Sequence, residues 1–436
     1  MNPAAHAAGF YFCRMFSDYR QTLEYIYAAL PDFQKVGASA YKADLHNTVA
    51  LLKALGNPEK KFKSIHIGGT NGKGSSSHML ASVLQEAGYK TGLYTSPHLK
   101  DFTERIKING QDVNQEFVID FVNRIKPSVE KIKPSFFEIT VAMAFEYFAV
   151  NEIDIAVVEV GLGGRLDSTN VIMPLVSLIT NISFDHKDIL GDTLEKIASE
   201  KAGIIKEGIP VVVSEMQPET YKVFIEKAKQ THSKIFFANK SISAKIDDDM
   251  LSVKGSELFQ VNDFPLRGPY QKKNVPGVLK VIELLPFIIK RGDIINGLKN
   301  TIKNTGLKGR WQKIGESPLT VCDTGHNEAG IAEVLKAINK ETFERLFIVF
   351  GAVKDKDINP VLSQLPKDAI YFFCEARIPR AMAAGDLAKQ ASSFGLKGPV
   401  IADVNDAIAA ARSLAAKNDF IFVGGSTFVV AEITNL

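Results

Sequence analysis

Short apolar runs alternate with amphipathic helical patterns along most of the chain, which is typical of βαβ units and parallel sheets. Residues 64–67 predict a short strand that leads into a glycine-rich segment at residues 68–75. A helix is predicted directly after it, because apolar residues recur at helical spacing at Met79, Leu80, Val83, Leu84 and Ala87. Gly88 then stands where a left-handed residue would end that helix.

The most continuous apolar run lies at residues 153–160 and is rich in β-branched residues. Such a run predicts a strand that is buried on both faces of a sheet. Further strands are predicted at 93–95, 175–180 and 209–213, and a helix is predicted from Thr193 through Lys201. These elements together predict one large parallel sheet.

A second alternating set follows the Lys-, Asn- and Gly-rich stretch 299–308. It predicts a helix at 328–338 and strands at 319–322, 346–350, 370–373 and 420–423. We therefore expect an α/β protein with a large N-terminal P-loop ATPase-like domain, whose sheet is mostly parallel, and a smaller C-terminal Rossmann-like α/β domain. The predicted bounds are 1–304 for the first domain (with 1–14 as an extension), 305–309 for a linker and 310–436 for the second domain.

The composition of the chain limits the classes of function that it can have. The 436 residues include 52 Lys and Arg against 49 Asp and Glu, a net charge of +3, and 45% are hydrophobic. This length and apolar content predict two or three folded domains and argue against disorder. A charge this close to balance gives no broad surface for nucleic acid or an anionic membrane, so we expect a small-molecule partner.

The three cysteines Cys13, Cys322 and Cys374 are far apart and odd in number. Neither a zinc site nor a secreted disulfide framework has this pattern, so we expect a reducing compartment. The first 20 residues lack the pattern of a signal peptide, and no run approaches about 18 apolar residues. We expect a soluble, cytoplasmic protein.

The glycine-rich segment 68–75 has the context of a phosphate-binding loop, with a strand before it, a helix after it and Lys73 at the turn. Backbone N–H groups at the helix N-terminus would face phosphates, and Lys73 would offset their charge. The segment is not a strict Walker A motif, because Ile67 stands where the first glycine is required and Gly74 where Ser or Thr is required. The alternative is an ordinary turn between strand and helix.

Glu159 lies near the end of the predicted buried strand, where a nucleotide-binding site would hold Mg²⁺. The alternative is a core glutamate that is satisfied by Arg165. Ser96 follows another strand and would add a hydroxyl ligand, although a serine before proline is usually only a turn. These two residues are candidate metal ligands.

His186 follows a strand of the same predicted sheet, and the carboxyl ends of parallel strands gather ligands. The alternative is a structural histidine. Lys201 lies inside a predicted helix, and the sequence alone favours a solvated surface lysine there.

Ser135 and Glu138 have the spacing of a helix capping box. The competing interpretation is that Phe136 and Phe137, between them, contact a flat heterocyclic substrate. In the second domain Asp323 lies at a junction between strand and helix, where it would either act at a ligand edge or only start the helix.

Taken in order, these segments resemble the folylpolyglutamate synthase/dihydrofolate synthase family, which is related to the Mur ligases. The resemblance covers nearly the whole chain. It rests on six segments, at residues 69–75, 95–99, 159–167, 200–204, 309–312 and 323–327. Gly74 matches the family's own variant of the phosphate loop.

The resemblance implies an ATP-dependent amide ligase, in which a substrate carboxylate is phosphorylated and the acyl phosphate is attacked by the amine of L-glutamate. It implies a nucleotide site formed by Thr70, Asn71, Gly72, Lys73, Gly74, Ser75, Asn274, Arg310 and Asp323. It implies two Mg²⁺ ions bound by Ser96, Glu159, His186 and Lys201, with Lys201 carried as a carbamate. The implied catalytic residues are Lys73, Lys201, His186, Asp323 and His326.

The same resemblance implies pterin-side substrate contacts at Tyr41, Lys42, Ala43, Ser135, Phe136, Phe137, Glu138, Leu166, Asp167 and Ser168. We expect both dihydropteroate and folates as acceptors, and a monomer. One alternative is a Mur-type ligase that acts on a UDP-linked cell-wall precursor, although only about 67 residues precede the phosphate loop. A nucleotide-dependent switch is the other alternative, but we find no guanine-reading NKxD segment.

Overall fold

The computed structural model describes residues 15–29, 44–255 and 257–436, which form two α/β units that meet near residue 306. Three sheets are present in this part of the chain, with strand orders β4-β3-β2-β5-β1-β6-β7-β8, β11-β10-β9 and β12-β13-β16-β14-β15. The strands are β1 (Lys63–Gly68), β2 (Thr91–Tyr94), β3 (Ile106–Ile108), β4 (Gln111–Asp112), β5 (Ile155–Glu159), β6 (Val176–Ile179), β7 (Val211–Val213), β8 (Ile235–Phe237), β9 (Ser243–Asp247), β10 (Met250–Lys254), β11 (Leu258–Val261), β12 (Gln312–Glu316), β13 (Leu319–Cys322), β14 (Leu346–Phe350), β15 (Ile370–Phe373) and β16 (Phe420–Gly424).

Helices lie on both faces of the two larger sheets. In the described residues they are α1 (Tyr19–Ala29), α2 (His46–Ala54), α3 (Lys73–Glu86), α4 (Gln115–Ile132), α5 (Phe136–Val150), α6 (Lys187–Leu190), α7 (Leu194–Ala202), α8 (Tyr221–Gln230), α9 (Gln271–Leu284), α10 (Arg291–Lys299), α11 (Thr301–Thr305), α12 (Glu328–Ile338), α13 (Asn359–Leu362), α14 (Ala384–Ser392), α15 (Val404–Leu414) and α16 (Thr427–Glu432).

The first sheet is mostly parallel, as expected, and its register brings the functional loops together. β1 lies at the centre and pairs in parallel with β5 and β6, so that Ile67 is opposite Glu159 and Gly68 is opposite Ile179. β2 pairs in parallel with the other side of β5. Because these strands end at one edge, the loops that follow β1, β2, β5 and β6 meet there.

Two apolar layers cover this sheet. On one face α3 packs with α9 and α10 around residues such as Leu80, Val83 and Val278. On the other face α1, α2, α4 and α5 pack around residues such as Phe121 and Phe145. The side chains named in both layers are fully buried. Their close packing fixes the start of α3 against the end of the central strand.

The C-terminal sheet is parallel except for β12, which pairs antiparallel with β13. Helices cover its two faces through separate apolar clusters. The loop after β13 lies at the carboxyl end of this sheet and faces the first unit, since Asn327 contacts Asn71. The cleft between the units is therefore lined by strand ends from both sheets.

Most predicted elements are confirmed. The bounds of α12, β13, β14 and β15 agree with the predicted ranges, and Gly88 is left-handed, at φ +86°, just beyond α3. The small antiparallel sheet β9–β11 and strand β12 were not predicted. Among the described residues no helix is both long and apolar enough to cross a membrane.

Candidate active site

The glycine-rich loop between β1 and α3 forms a tight cradle. Gly69 and Gly72 have φ of +134° and +90°, and a Cβ atom would lie 1.9 Å from Thr180 Oγ1 at the first and 2.1 Å from Asn274 Oδ1 at the second. No other residue type fits there without displacing these neighbours. The Thr70 N–H donates to Asn181 O at 2.8 Å, which ties the loop to the end of β6.

The start of α3 is free to bind an anion. Its N-cap is Gly72, which supplies no side-chain acceptor for the first N–H groups. Lys73 folds back over the loop, and its Nζ donates to Gly69 O at 3.2 Å and to Thr70 O at 3.1 Å. A bound phosphate would compete with these two carbonyls for the ammonium group. The loop has the local geometry of a phosphate site, which argues against an ordinary turn.

The departure from a strict Walker A motif at Gly74 has a spatial cause. A Cβ atom at this position would lie 3.3 Å from Arg310 Nη2 and 3.8 Å from Glu159 Oε2. A larger residue would therefore push into the space between a carboxylate of the first unit and a guanidinium that belongs to the start of the second. Glycine keeps that space open.

Glu159 is a buried carboxylate at the end of β5, with only 5% of its surface exposed. Burial raises its pKa to about 6, although the charges of Lys73 and Arg310 act in the opposite direction. The Ser96 N–H points to Oε2 at 3.4 Å. Arg165 forms its salt bridge with Glu200, at 2.8 Å, which does not support the alternative that Arg165 satisfies Glu159.

Lys201 is also buried, with 4% exposure, so its interpretation as a surface lysine is wrong. It lies on the inward face of α7, and its Nζ donates to Gly69 O at 2.9 Å. Burial, helped by the charge of Lys73, lowers its pKa to about 7. The reason lies in tertiary packing, because α7 is pressed against the phosphate loop more than 100 residues earlier in the chain.

His186 lies in the loop after β6, in a left-handed conformation at φ +50°. Burial lowers its pKa to about 3, so the ring is neutral. The neighbouring carboxylate of Asp185 lies 3.8 Å from its Nε2.

Asp185 links the two units. It accepts from Lys356 Nζ at 2.6 Å and from Asn327 Nδ2 at 3.2 Å, and it lies 3.4 Å from His326 Nε2. Burial alone would raise its pKa, but the His326 hydrogen bond and the Lys356 charge hold it well below its usual value. Neither Asp185 nor Lys356 was predicted from the sequence as a site residue. Asp185 carries a weak signal, since it follows a predicted strand, and Lys356 carries none.

Arg310 and Asp323 extend the site into the second unit. The Arg310 guanidinium donates to Gly309 O at 3.1 Å and contacts the Thr324 hydroxyl. Asp323 is buried and accepts from the Tyr270 hydroxyl at 2.5 Å and from Trp311 N–H at 2.7 Å. Burial raises the pKa of Asp323, although the Arg310 charge opposes this.

The alternative in which Asp323 only starts a helix is wrong. The N-cap of α12 is Asn327, whose side chain accepts from Gly330 N–H at 2.8 Å. Asn274, a further predicted nucleotide contact, is buried on α9 and donates to Gln271 Oε1 at 2.8 Å. Gln271 in turn donates to Ser75 on α3, at 3.1 Å. The α9 side chains thus brace the phosphate loop.

A cavity of about 860 Å³ lies between the two units. It contains every predicted nucleotide, metal and catalytic residue: Thr70, Asn71, Gly72, Lys73, Gly74, Ser75, Ser96, Glu159, His186, Lys201, Asn274, Arg310, Asp323 and His326. A second cavity of about 500 Å³ shares Ser96, Asp185, His186 and His326 with the first. The two cavities therefore meet at loops that follow β2, β5, β6 and β13.

The second cavity contains the predicted substrate contacts that the structure describes: Ser135, Phe136, Phe137, Glu138, Leu166, Asp167 and Ser168. Tyr41, Lys42 and Ala43 lie outside the described residues. The capping box of Ser135 and Glu138 is present at the start of α5. The capping interpretation is confirmed, and the same cap holds the two rings at the cavity wall, so the two interpretations are compatible.

Phe136 and Phe137 are held differently. Phe136 is only 3% exposed, stacks on Tyr27 at 5.0 Å and lies under the Arg105 guanidinium at 5.3 Å. Phe137 packs so closely on Gly161 that a Cβ atom there would lie 2.3 Å from the ring. The walls are thus aromatic and rigid.

Within the described residues, no group of three or more His, Cys, Asp or Glu side chains is placed to hold a metal ion by itself. Mg²⁺ takes one or two carboxylates from a protein and completes its shell with water and substrate phosphates. The buried Glu159, with its raised pKa, is the carboxylate that would benefit from a cation. Ser96 and His186 line the same cavity.

Two family models match the chain. The Mur ligase middle domain matches residues 67–279, and the Mur ligase glutamate ligase domain matches residues 309–427. The dihydrofolate synthase/folylpolyglutamate synthase of Bacillus subtilis is 34% identical over 438 residues, covering 96% of this chain and 99% of that protein. The folylpolyglutamate synthase of Lacticaseibacillus casei is 31% identical, covering 84% of this chain and 87% of its own length.

Solved structures are also similar to this chain over most of its length. Escherichia coli FolC in complex with DHPP and ADP is similar with a TM-score of 0.85 and 27% identity, covering 96% of this chain and 97% of that one. The bifunctional folylpolyglutamate synthase/dihydrofolate synthase of Yersinia pestis, complexed with AMPPNP and Mn ion, gives a TM-score of 0.83 and 28% identity, covering 96% and 97%.

Proposed function

Because the chain belongs to the dihydrofolate synthase/folylpolyglutamate synthase family, we propose that it is an ATP-dependent ligase that adds L-glutamate to dihydropteroate and to folates. One observation carries the proposal. The phosphate loop and the aromatic cavity open onto each other at Ser96 and His186, so a nucleotide and a heterocyclic acid would meet there.

The larger cavity is proposed to bind ATP. The free N-terminus of α3 and Lys73 are suited to the phosphates, while Asn274 and Arg310 approach the same loop from α9 and from the second unit. Asp323 is held by Tyr270 and Trp311, so it presents a fixed carboxylate to the nucleotide.

A divalent cation is proposed to bind at Glu159. Ser96 and Glu159 would hold one Mg²⁺, and His186 and Glu159 a second. Lys201 is proposed to be a carbamate, which would turn a buried ammonium into an anionic ligand. Its burial beside Lys73, together with its single hydrogen bond to Gly69 O, supports this proposal. When bound, the ions would stabilise negative charge on the transferred phosphoryl group.

The smaller cavity is proposed to bind the pterin part of the acceptor. The partly exposed ring of Phe137 offers surface to a flat heterocycle, and Phe136 lines the same cavity although it is only 3% exposed. Asp167 offers a buried carboxylate that can accept from a heterocycle N–H. The carboxylate end of the acceptor would then point toward the shared wall at Ser96 and His186.

The resemblance to the family implies the chemistry that would take place in these two cavities. A carboxylate oxygen of the acceptor attacks the γ-phosphorus of ATP, ADP leaves, and an acyl phosphate forms. The amine of L-glutamate then attacks the acyl carbon, loses a proton and expels phosphate. Lys73 offsets charge on the phosphoryl group during the first step. Lys356 and Asn327 of the second unit contact Asp185 of the first beside the cavity, which helps exclude water from the acyl phosphate.

The Mur-type alternative is less well supported. The relatives that match over most of the chain are named for folate substrates, among them the proteins of Bacillus subtilis and Haemophilus influenzae. The aromatic pair beside Asp167 also suits a flat ring better than a sugar nucleotide.

The test is ADP release by the purified protein with Mg²⁺, ATP and L-glutamate, with dihydropteroate or tetrahydrofolate as the acceptor. We expect release with both acceptors, and none when L-glutamate or the acceptor is omitted. Release with tetrahydrofolate alone would limit the function to chain extension, and release with neither would overturn the proposal.

A further inference from the structure

A fully buried histidine lies behind the smaller cavity. His66 is in the central strand β1 and has no solvent exposure. Its Nε2 lies 2.9 Å from Thr169 Oγ1, and its Nδ1 has no hydrogen-bond partner among the described residues. Burial lowers its pKa to about 3, so the ring is neutral and carries a single N–H.

The direction of each hydrogen bond is fixed by what its acceptor allows. Asp167 accepts Thr169 N–H at 3.0 Å and the Thr169 hydroxyl at 2.5 Å on Oδ1, and Leu162 N–H at 2.8 Å on Oδ2. A carboxylate donates nothing, so the hydroxyl proton of Thr169 is used toward Asp167. His66 must then be the donor to Thr169, through Nε2–H, and its bare Nδ1 is the atom left without a partner.

The three side chains form one chain of hydrogen bonds that runs from the sheet core to the cavity wall. Asp167 lines the smaller cavity, whereas His66 and Thr169 do not. Its Oδ1 accepts both donors from Thr169, and the backbone N–H groups of Leu162 and Gly161 also donate to the carboxylate, so these donors together set its orientation. Each donor behind the carboxylate also strengthens the next bond in the chain.

We propose that His66 is a positioning residue: through Thr169 it fixes the orientation of the Asp167 carboxylate, and so determines how tightly the heterocyclic acceptor is bound. The proposal rests on the proposed function, because it assigns the smaller cavity to that acceptor. It concerns acceptor binding only, since His66 and Thr169 contact neither the phosphate loop side chains nor Glu159 in the hydrogen bonds observed.

The test compares two histidine variants that place an amide donor differently. His66→Gln can put an N–H near the position of Nε2, whereas His66→Asn can reach only the position of Nδ1. Thr169→Val removes the hydroxyl and keeps the shape, and Thr169→Ser restores the hydroxyl. Ser177→Ala is the control, because Ser177 is a buried hydroxyl opposite His66 in β6 that donates to Ile204 O instead.

We expect His66→Asn and Thr169→Val to raise KM for dihydropteroate about tenfold, with the KM for ATP within about twofold of wild type. His66→Gln should recover most of the loss seen in His66→Asn, and Thr169→Ser most of that in Thr169→Val. Urea unfolding of each variant identifies those that fold, and Thr169→Val tests the chain of hydrogen bonds independently of any change at His66.

A wild-type KM for dihydropteroate in both His66→Asn and Thr169→Val would overturn the inference while leaving the proposed function intact, and so would an equal rise in the KM for ATP. A similar rise in Ser177→Ala would also overturn it, because general loosening of the sheet would then be the cause. Absence of dihydropteroate-dependent ADP release by the wild-type protein would instead refute the proposed function, and the inference with it.

Discussion

At the scale of single residues, Glu159 has the properties expected of a carboxylate that binds a cation. It is buried, its pKa is raised to about 6, and no salt bridge to it is observed among the described residues. A buried carboxylate without a partner destabilises the folded protein. A cation bound to it would offset that cost.

Glu159→Gln should therefore separate stability from activity. Without metal, its free energy of unfolding in urea should equal or exceed that of wild type, because a buried charge is removed. ADP release should fall at least about 100-fold, since a ligand that stabilises the transferring phosphoryl group is lost. Glu207→Gln, at an exposed carboxylate, is the control and should keep full activity. A destabilised but active Glu159→Gln would contradict this account.

At the scale of elements, Gly74 in the first turn of α3 lowers the stability of the helix but leaves space beside the Arg310 guanidinium. Gly74→Ala should stabilise the helix by about 0.5–1 kcal/mol but reduce ADP release about tenfold, because the new methyl group would lie 3.3 Å from the Arg310 guanidinium. Gly292→Ala on α10 is the matched control, since nothing lies within 4 Å of its added Cβ. Equal activity in the two variants would show that the space at Gly74 is not needed.

A buried hydrogen bond connects α3 to α11, the helix that leads into the C-terminal unit. His78 Nδ1 lies 2.8 Å from Thr305 Oγ1, and Thr305 donates its own proton to Thr301 O at 2.6 Å, so His78 is the donor. Burial, with the charges of Lys107 and Arg310, lowers the pKa of His78 to about 3.

This depressed pKa predicts a pH dependence. Between about 6.5 and 3 the unfolded chain binds a proton at His78 that the folded chain does not, so stability is lost as pH falls. His78→Asn keeps a donor and cannot titrate. From pH 7 to pH 5.5 the wild-type protein should lose about 1 kcal/mol more of its unfolding free energy in urea than His78→Asn does. Equal losses of unfolding free energy in the two proteins would mean that His78 is charged in the folded protein at pH 5.5.

Elements and site residues differ in how far the sequence determines them. β14 and α12 were predicted with their observed bounds, because apolar periodicity is a local property. The sheet β9–β11 was missed, since its strands are short and each contains only one or two buried residues. The local sequence pattern could not place Lys201 or Lys356 in the site. Lys201 is buried by contact with the distant phosphate loop, and Lys356 forms an ion pair with the distant Asp185.

At the scale of the whole molecule, the pair Asp185–Lys356 joins the two units beside the cavity. Asp185→Asn and Lys356→Met should each lower kcat about tenfold or more, and the double variant should be no worse than the weaker single variant. Lys336→Met removes an exposed lysine that pairs with Glu333 and should change kcat little. Additive losses in the double variant would show that the pair is absent from the active form. The domain bounds 1–304 and 310–436, and a monomeric state, stay predictions.

The central claim is that one interdomain cleft activates a carboxylate by phosphorylation and then joins it to an amine. It is tested most directly with dihydropteroate labelled with ¹⁸O in its carboxylate, followed by mass analysis of the phosphate released with Mg²⁺, ATP and L-glutamate. We predict that one labelled oxygen appears in the phosphate for each amide formed, because that oxygen bridges carbon and phosphorus in the acyl phosphate. Amide formation with unlabelled phosphate would contradict the account.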